Sequence, residues 1–367
     1  VRLNSAMYAR RAYSLLTLPL VFLLAGCDAV VMSPSGDIAM QQRDLIVVST
    51  VLMLLIVVPV MLLTGFFAWH YRQSNKKATY DPDWHHSTQL ELVIWSAPLL
   101  IIIALGAVTW ITTHTLDPYR KLDRLDASRP IPADVQPLKV QVVALDWKWL
   151  FIYPDYGVAS VNEMAAPVDV PIEFQITGST VMNAFYVPAL AGMIYAMPGM
   201  QTQLHAVINK AGDYQGFSAN YSGAGFSHMR FTFKGLDGAG FDQWVAGVRA
   251  SPAALGREEY LKLERPSERE PVRHYGQTMV GLYDAILNLC VEPTKMCMRD
   301  MMAIDAKGGL GLASVYNVSR LSYDAERRRG VLPQPPAEYV TALCAAAPEV
   351  MLSPASPPSY GLSRLAP

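Results

Sequence analysis

The chain has 367 residues, with 30 lysines and arginines against 31 aspartates and glutamates, for a net charge of −1. Charged residues make up only 17%, against about 25% in soluble domains, and mean hydropathy is +0.19. A near-neutral chain without a basic block is not built for nucleic acid, and this apolar balance excludes disorder and a purely cytosolic protein.

Arg10 and Arg11 precede a short apolar run over residues 15–24, followed by Ala25, Gly26 and Cys27. Basic, apolar, then small is the order of a secretory signal peptide. The run is shorter than the roughly 20 residues that cross a bilayer. Met7 is a candidate start, since the residues before it add nothing to the signal. Leu24-Ala25-Gly26-Cys27 resembles the bacterial lipoprotein cleavage box, which implies loss of residues 1–26 and a lipid on Cys27. Asp28 resembles the signal that keeps such lipoproteins in the inner membrane.

After a segment over 27–44, residues 45–69 are almost unbroken apolar sequence, with Trp69 and Tyr71 suited to the interface. A second span covers 91–112, with Trp95 and Trp110 near its ends. Pro59 and Pro98 lie inside the spans, where membrane helices tolerate proline. The loop over 70–90 carries Arg72, Lys76 and Lys77, whereas the segment before the first span carries only Arg43. The positive-inside rule therefore places the loop in the cytoplasm. Arg120, Lys121, Arg124 and Arg129, in a linker over 113–137, pull the other way. They are interleaved with acids and lead a large domain, which translocates largely regardless of charge. The spans form an antiparallel hairpin, and residues 113–367 are expected in the periplasm.

Residues 138–240 are expected to form a β-sandwich. Short β-branched and aromatic runs cover 138–145, 170–177, 181–187, 201–208 and 229–233, split by turn residues. Alternation is visible in Lys139-Val140-Gln141-Val142 and Glu173-Phe174-Gln175-Ile176. About 100 residues of such strands is the size of one Greek-key sandwich.

Several segments, in order, resemble subunit II of the haem–copper terminal oxidases. They are Trp69-His70-Tyr71-Arg72, Glu91-Leu92-Val93-Ile94-Trp95, Asp146-Trp147-Lys148-Trp149 with Tyr153-Pro154, and Ser179-Thr180-Val181-Met182-Asn183-Ala184-Phe185. Ile194-Tyr195-Ala196-Met197-Pro198-Gly199-Met200 and Ser218-Ala219-Asn220-Tyr221-Ser222-Gly223 continue the match, which runs from Cys27 to about residue 250. The bo-type quinol oxidase branch is the most similar. The resemblance implies an α+β membrane protein: two transmembrane helices, a periplasmic cupredoxin-like Greek-key sandwich and a small helical C-terminal extension.

In the cytochrome c oxidase branch this domain carries a two-copper centre, whose thiolates bridge the ions while imidazoles complete their shells. Set against Met229, Ser218 and Ser222 stand at the cysteine positions, Asn220 at the glutamate, Phe226 at one histidine and Asn183 at the other. Serine hydroxyls are poor copper ligands, so no cofactor is expected on this chain. His228 lies two positions from the ligand slot, and His85, His86 and His205 show no ligand spacing with cysteines.

The resemblance then implies that quinol, haems and the oxygen-reducing copper belong to subunit I. This chain would be a non-catalytic structural and assembly partner, with Trp147 and Trp149 serving packing rather than electron entry. Direct contact with subunit I is expected, with subunits III and IV in the same complex, alongside membrane lipids. Glu91, at the cytoplasmic start of the second span, matches a family glutamate at a proton-channel entrance; a solvated helix-end carboxylate is the plainer reading.

Residues 241–330 resemble the aromatic-rich extension of quinol oxidase subunit II at Phe241-Asp242-Gln243-Trp244-Val245, and are expected to form one or two short helices. Residues 331–367, rich in proline, alanine and serine, are expected to be a flexible tail. Of the three cysteines left after lipidation, Cys290, Cys297 and Cys344, two pairings stay open: a Cys290–Cys297 disulfide closing a short loop, or Cys297–Cys344. The methionines around Cys297 are soft ligands but also adaptable packing residues.

The expected whole is subunit II of a proton-pumping quinol oxidase of the bacterial inner membrane. Its rivals are a copper-bearing cytochrome c oxidase subunit II and a non-enzymatic, lipid-anchored binding or sensor protein.

Overall fold

The computed structural model describes residues 30–306, apart from 80, 82, 133 and 134. The signal segment, Cys27, Cys344 and the expected tail lie outside the described residues. Two long helices come first, α1 (Asp37–His70) and α2 (Thr88–Thr115). Both are long and apolar enough to cross a membrane, and their middles expose rows of Leu, Ile, Val and Phe that water would not tolerate. The start of α1 lies beside the end of α2, at Gln41, Leu45 and Val48 against Val108, Thr112 and Thr115, so the pair is antiparallel.

Both helices outrun their expected spans of 45–69 and 91–112. At 34 residues and about 1.5 Å per residue, α1 is about 51 Å long, against about 30 Å of bilayer hydrocarbon. Its first turn therefore lies outside the hydrocarbon, against the sandwich, and Asp37, Ile38 and Ala39 are buried there. The polar sequence of this turn hid it from an apolar-run reading, because the sandwich rather than lipid covers it.

The sandwich contains β1 (Leu138–Leu145), β2 (Lys148–Tyr153), β3 (Val158–Val161), β4 (Glu163–Pro167), β5 (Pro171–Gly178), β6 (Asn183–Tyr186), β7 (Ile194–Ala196), β8 (Thr202–Val207), β9 (Gly212–Ser218) and β10 (Arg230–Leu236). After it come α3 (Gly238–Arg249), β11 (Ala254–Leu255), α4 (Arg257–Glu264), β12 (Arg273–Tyr275), β13 (Gln277–Thr278), α5 (Leu282–Leu287) and α6 (Met298–Ala306). One sheet has the order β12-β3-β2-β1-β5-β8, the other β4-β10-β9-β6-β7. β1 pairs parallel with β5 and β4 parallel with β10, while the other neighbours within these two sheets are antiparallel.

Strand alternation divides the apolar residues between two cores. Val140, Val142 and Ala144 of β1, with Trp149, Phe151 and Tyr153 of β2, face the other sheet. Val143, Leu145, Leu150 and Ile152 face outward, under Tyr260, Tyr275, Leu282 and Ile286 of the C-terminal extension. The extension thus seals the outer face of the six-stranded sheet and adds β12 to its edge. It holds more helix than the one or two elements expected. α3 begins at Gly238, inside the segment read as sandwich, with Asp237 Oδ1 accepting from the Gly240 N–H as its N-cap. Phe241, Val245 and Val248 of α3 close one edge of the inner core.

Candidate functional site

The six positions singled out in the sequence meet at one end of the sandwich, where β6 starts, β9 ends and a short connection leads to β10. Asn183 is 1% exposed, Ser218 3% and Met229 1%. Ser218 Oγ accepts from the Ala184 N–H at 3.3 Å and donates to Asn183 Oδ1 at 3.0 Å, with the Asn220 carbonyl at 3.2 Å. Asn183 Nδ2 donates to the Val181 carbonyl, and Asn220 Nδ2 to the carbonyls of Met182 and Tyr221. Ser222 Oγ points at Met229 Sδ across 4.0 Å. Phe226 packs edge-on against Tyr221. The cluster is neutral throughout, and its polar atoms are engaged with one another and with backbone. His228 stands apart, with Nε2 accepting from Arg269. Among the described residues, no group of three or more His, Cys, Asp or Glu side chains is placed to hold a metal ion.

Trp147 holds this connection in place. It adopts φ 69°, an unusual conformation for a bulky residue, which lays its ring over the 222–225 backbone. Its indole N–H donates to the Ser222 carbonyl at 2.9 Å. A Cβ at Gly225 would collide with the ring, and Gly223 adopts φ 112° beneath it. Next to it, Lys148 is 1% exposed. Its ammonium donates to the Arg265 carbonyl at 2.8 Å, Ser267 Oγ at 2.6 Å and the Asp146 carbonyl at 3.3 Å. Burial lowers its pKa, opposed by the nearby Glu270 and Asp146 carboxylates. Trp149 is fully buried, edge-on to Phe185 and Phe231. This turn joins the six-position cluster to the C-terminal extension. The sequence marks its aromatic residues but not its buried lysine, since the two shortest bonds to the ammonium come from the Arg265 carbonyl and the Ser267 hydroxyl, 117 and 119 residues away in the chain.

Large apolar side chains are exposed around the same end: Val181, Met182, Tyr195, Met200 and Tyr221. Cys290 and Cys297 are paired in a disulfide. The following helix α6 seats Met298 close to Gly199 in the neighbouring loop.

Glu91 occupies the first turn of α2, at the far end of the hairpin, and its side chain is 51% exposed. Its Oε1 lies 2.9 Å from His86 Nδ1, and His86 Nε2 lies 3.1 Å from Thr88 Oγ1.

The model of the cytochrome c oxidase subunit II periplasmic domain matches residues 158–236, and that of the COX aromatic-rich motif matches 249–294. Cytochrome bo(3) ubiquinol oxidase subunit 2 of Pseudomonas putida is 47% identical over 278 residues, covering 76% of this chain and 86% of the relative. Ubiquinol oxidase subunit 2 of Acetobacter aceti is 48% identical over 265 residues, covering 72% and 84%. Among solved structures, the periplasmic domain of cytochrome oxidase subunit II of Bradyrhizobium japonicum is 28% identical, covering 32% of this chain and 94% of that one, with a TM-score of 0.29. At these identities and coverages, the chain belongs to the subunit II family of the haem–copper oxidases, in its quinol oxidase branch.

Proposed function

We propose that this chain is the copper-free subunit II of a proton-pumping quinol oxidase, and that it acts by capping and assembling subunit I rather than by carrying electrons. The neutral cluster around Ser218 carries the reading. A copper relay needs soft, deprotonated ligands, whereas the hydroxyl and amide groups of Asn183, Ser218 and Asn220 are neutral and already hydrogen-bonded to each other or to backbone. Electrons then enter as quinol bound by subunit I, where the haems and the oxygen-reducing copper also reside. The exposed apolar side chains around the cluster fit a docking surface for subunit I, since a patch of this kind on a periplasmic domain calls for a partner. Subunits III and IV complete the assembly. Cys27 carries the lipid, and the complex lies in the bacterial inner membrane.

Oxygen uptake by the complex, purified through a tag on this chain, tests the reading. Quinol should support uptake and reduced cytochrome c should not. Uptake with cytochrome c would place a metal relay where the serines stand. A preparation without haem or uptake would favour a lipid-anchored binding protein.

Glu91 is the one side chain to which we give a role in the reaction, as the first acceptor of protons from the cytoplasm. Its exposure and its contact with His86 support this: the carboxylate is open to water at the end of α2, and the imidazole beside it is a second group able to carry a proton. Glu91→Gln should slow oxygen uptake and proton pumping without changing the haem content. Unchanged rates would remove the role.

A further inference from the structure

Where the hairpin meets the sandwich, a cavity of about 280 Å³ opens between the start of α1 and the chain leaving α2. An apolar groove of about 360 Å³ continues from it between the two helices. The two share Gln41, Thr115 and Leu116 as a common wall. The groove is floored by Leu45, Val48, Val108 and Ile111, all within the apolar spans, with Asp44, paired to Arg43, beside Gln41 in its lining.

Depth relates this feature to the membrane. Gln41 lies four residues above Leu45, or about 6 Å along the helix. The headgroup layer is about 5–7 Å thick on each side of the hydrocarbon. The polar cavity therefore opens at headgroup level, and the groove runs into the acyl region.

The charges of the cavity narrow the ligand. Asp37 is paired with Arg124 and Asp123 with Arg120. Lys121 and Asp117 also line the cavity and make no ion pair among the described residues; Asp117 Oδ1 accepts from the Tyr119 N–H at 2.9 Å. One unpaired ammonium and one unpaired carboxylate suit neither a simple anion nor a simple cation. They suit a ligand carrying both signs. We propose that the cavity and groove together hold one zwitterionic phospholipid of the outer leaflet, of the phosphatidylethanolamine type. Its phosphate faces Lys121, its ammonium faces Asp117, and one acyl chain lies along Val48, Val108 and Ile111. The site rests on the membrane placement of the hairpin and gives the joint a lipid component. No bond is made or broken.

The test uses the intact complex in nanodiscs that contain phosphatidylethanolamine with a photoreactive diazirine in one acyl chain. After illumination, labelled residues are mapped by peptide mass spectrometry. Label should fall on the groove face of α1 and α2 around Val48, Val108 and Ile111. It should drop at least threefold in Lys121→Ala, in Asp117→Asn, and when the probe is the anionic phosphatidylglycerol analogue. Both substituted residues are exposed, so the fold should tolerate the changes. A groove that stays unlabelled because subunit I fills it overturns the proposal. So does label that is indifferent to headgroup and to both substitutions. Haem measured on the same sample separates this result from the oxidase reading: groove label without haem keeps the lipid site and removes the oxidase.

Discussion

Where the sandwich meets α1, the side chains that join it to the chain leaving α2 are charged and paired within the chain. Asp37 receives Arg124 at 3.0 Å, and Arg129 bridges Asp126 and both oxygens of Asp169. At the other end of β5 and β8, around Asn183, Ser218 and Asn220, the polar groups are neutral hydrogen-bond partners. Through these pairs the charged end fastens the linker from α2 onto the sandwich. The neutral end is ringed by exposed apolar side chains. A surface that must be covered by another protein gains from having no charge to strip of water, because desolvating an ion costs several kcal/mol before any pairing is recovered. The contrast teaches that a buried polar cluster can be closed without charge. Its groups close on each other and on backbone, and remain cheap to bury.

The largest expected effect lies behind the neutral end. Trp149→Ala empties the inner core between Phe185 and Phe231 and should cost about 3–5 kcal/mol. It should be read as a lower midpoint in thermal unfolding of the complex, with loss of haem on mild heating. Cys290→Ser opens the loop that leads into α6, beside the same end. It should cost about 2–3 kcal/mol and raise amide exchange around Met298, while exchange around Asp169 stays unchanged. Ser218→Ala leaves Asn183 Oδ1 and the Ala184 N–H short of a partner at a buried position. A loss of about 1–2 kcal/mol, insensitive to salt, is expected in the same unfolding measurement.

Asp169→Asn probes the charged end and should cost less, about 1 kcal/mol, since the Arg129 side chain is 41% exposed. This loss should shrink as salt rises. An effect at Asp169 that ignores salt, or one at Ser218 that follows it, would break the distinction between the two ends.

Acid gives the smallest effect and the cleanest contrast. The Asp126 carboxyl is held well below the usual carboxylate range by the backbone N–H of Ser128, then by the Ser128 hydroxyl and Arg129. Its folded pKa lies below its unfolded value, so its contribution is complete above about pH 4 and fades as pH falls further. Amide exchange, corrected for intrinsic rate and compared at about pH 5 and about pH 3, should rise in residues 123–131. The segment over 216–229 should not respond. The Glu163 carboxyl behaves similarly in direction. Burial raises its pKa, but the hydrogen bonds from Lys234, Trp244 and His274 together outweigh burial and bring it below the ordinary value.

Much of this was legible in the sequence, because the strongest signals there are also the dominant forces. An apolar run has one environment available to it, so both spans could be read, and β1 runs over 138–145 as its alternation predicts. The missing elements were those whose partners are distant in sequence. β2 is buried at all its positions, and no local pattern reveals that Tyr260 and Tyr275 cover its outer face. The start of α1 is polar because Arg124 and the sandwich surround it, so it does not read as part of a span. At the site, residue identity alone disclosed neutrality. That Ser218 closes on Asn183, and that Trp147 clamps the loop through Gly223 and Gly225, required the fold.

Asp37 and Arg124 are separated by 87 residues, and in the growing chain that separation becomes a delay. Asp37 crosses to the periplasm with α1, before the helix that must return the chain has been made. Its cation arrives only after α2 has entered the bilayer. The backbone that receives the turn before it, the Ala189 carbonyl bonded by the Ser35 and Gly36 N–H groups, arrives later still. The joint between membrane and sandwich is thus among the earliest parts synthesised and among the last to be satisfied. Until the chain beyond α2 has been made, the Asp37 carboxylate has only Gln41 of its own helix to bond it, at 2.6 Å, and no cation beside it.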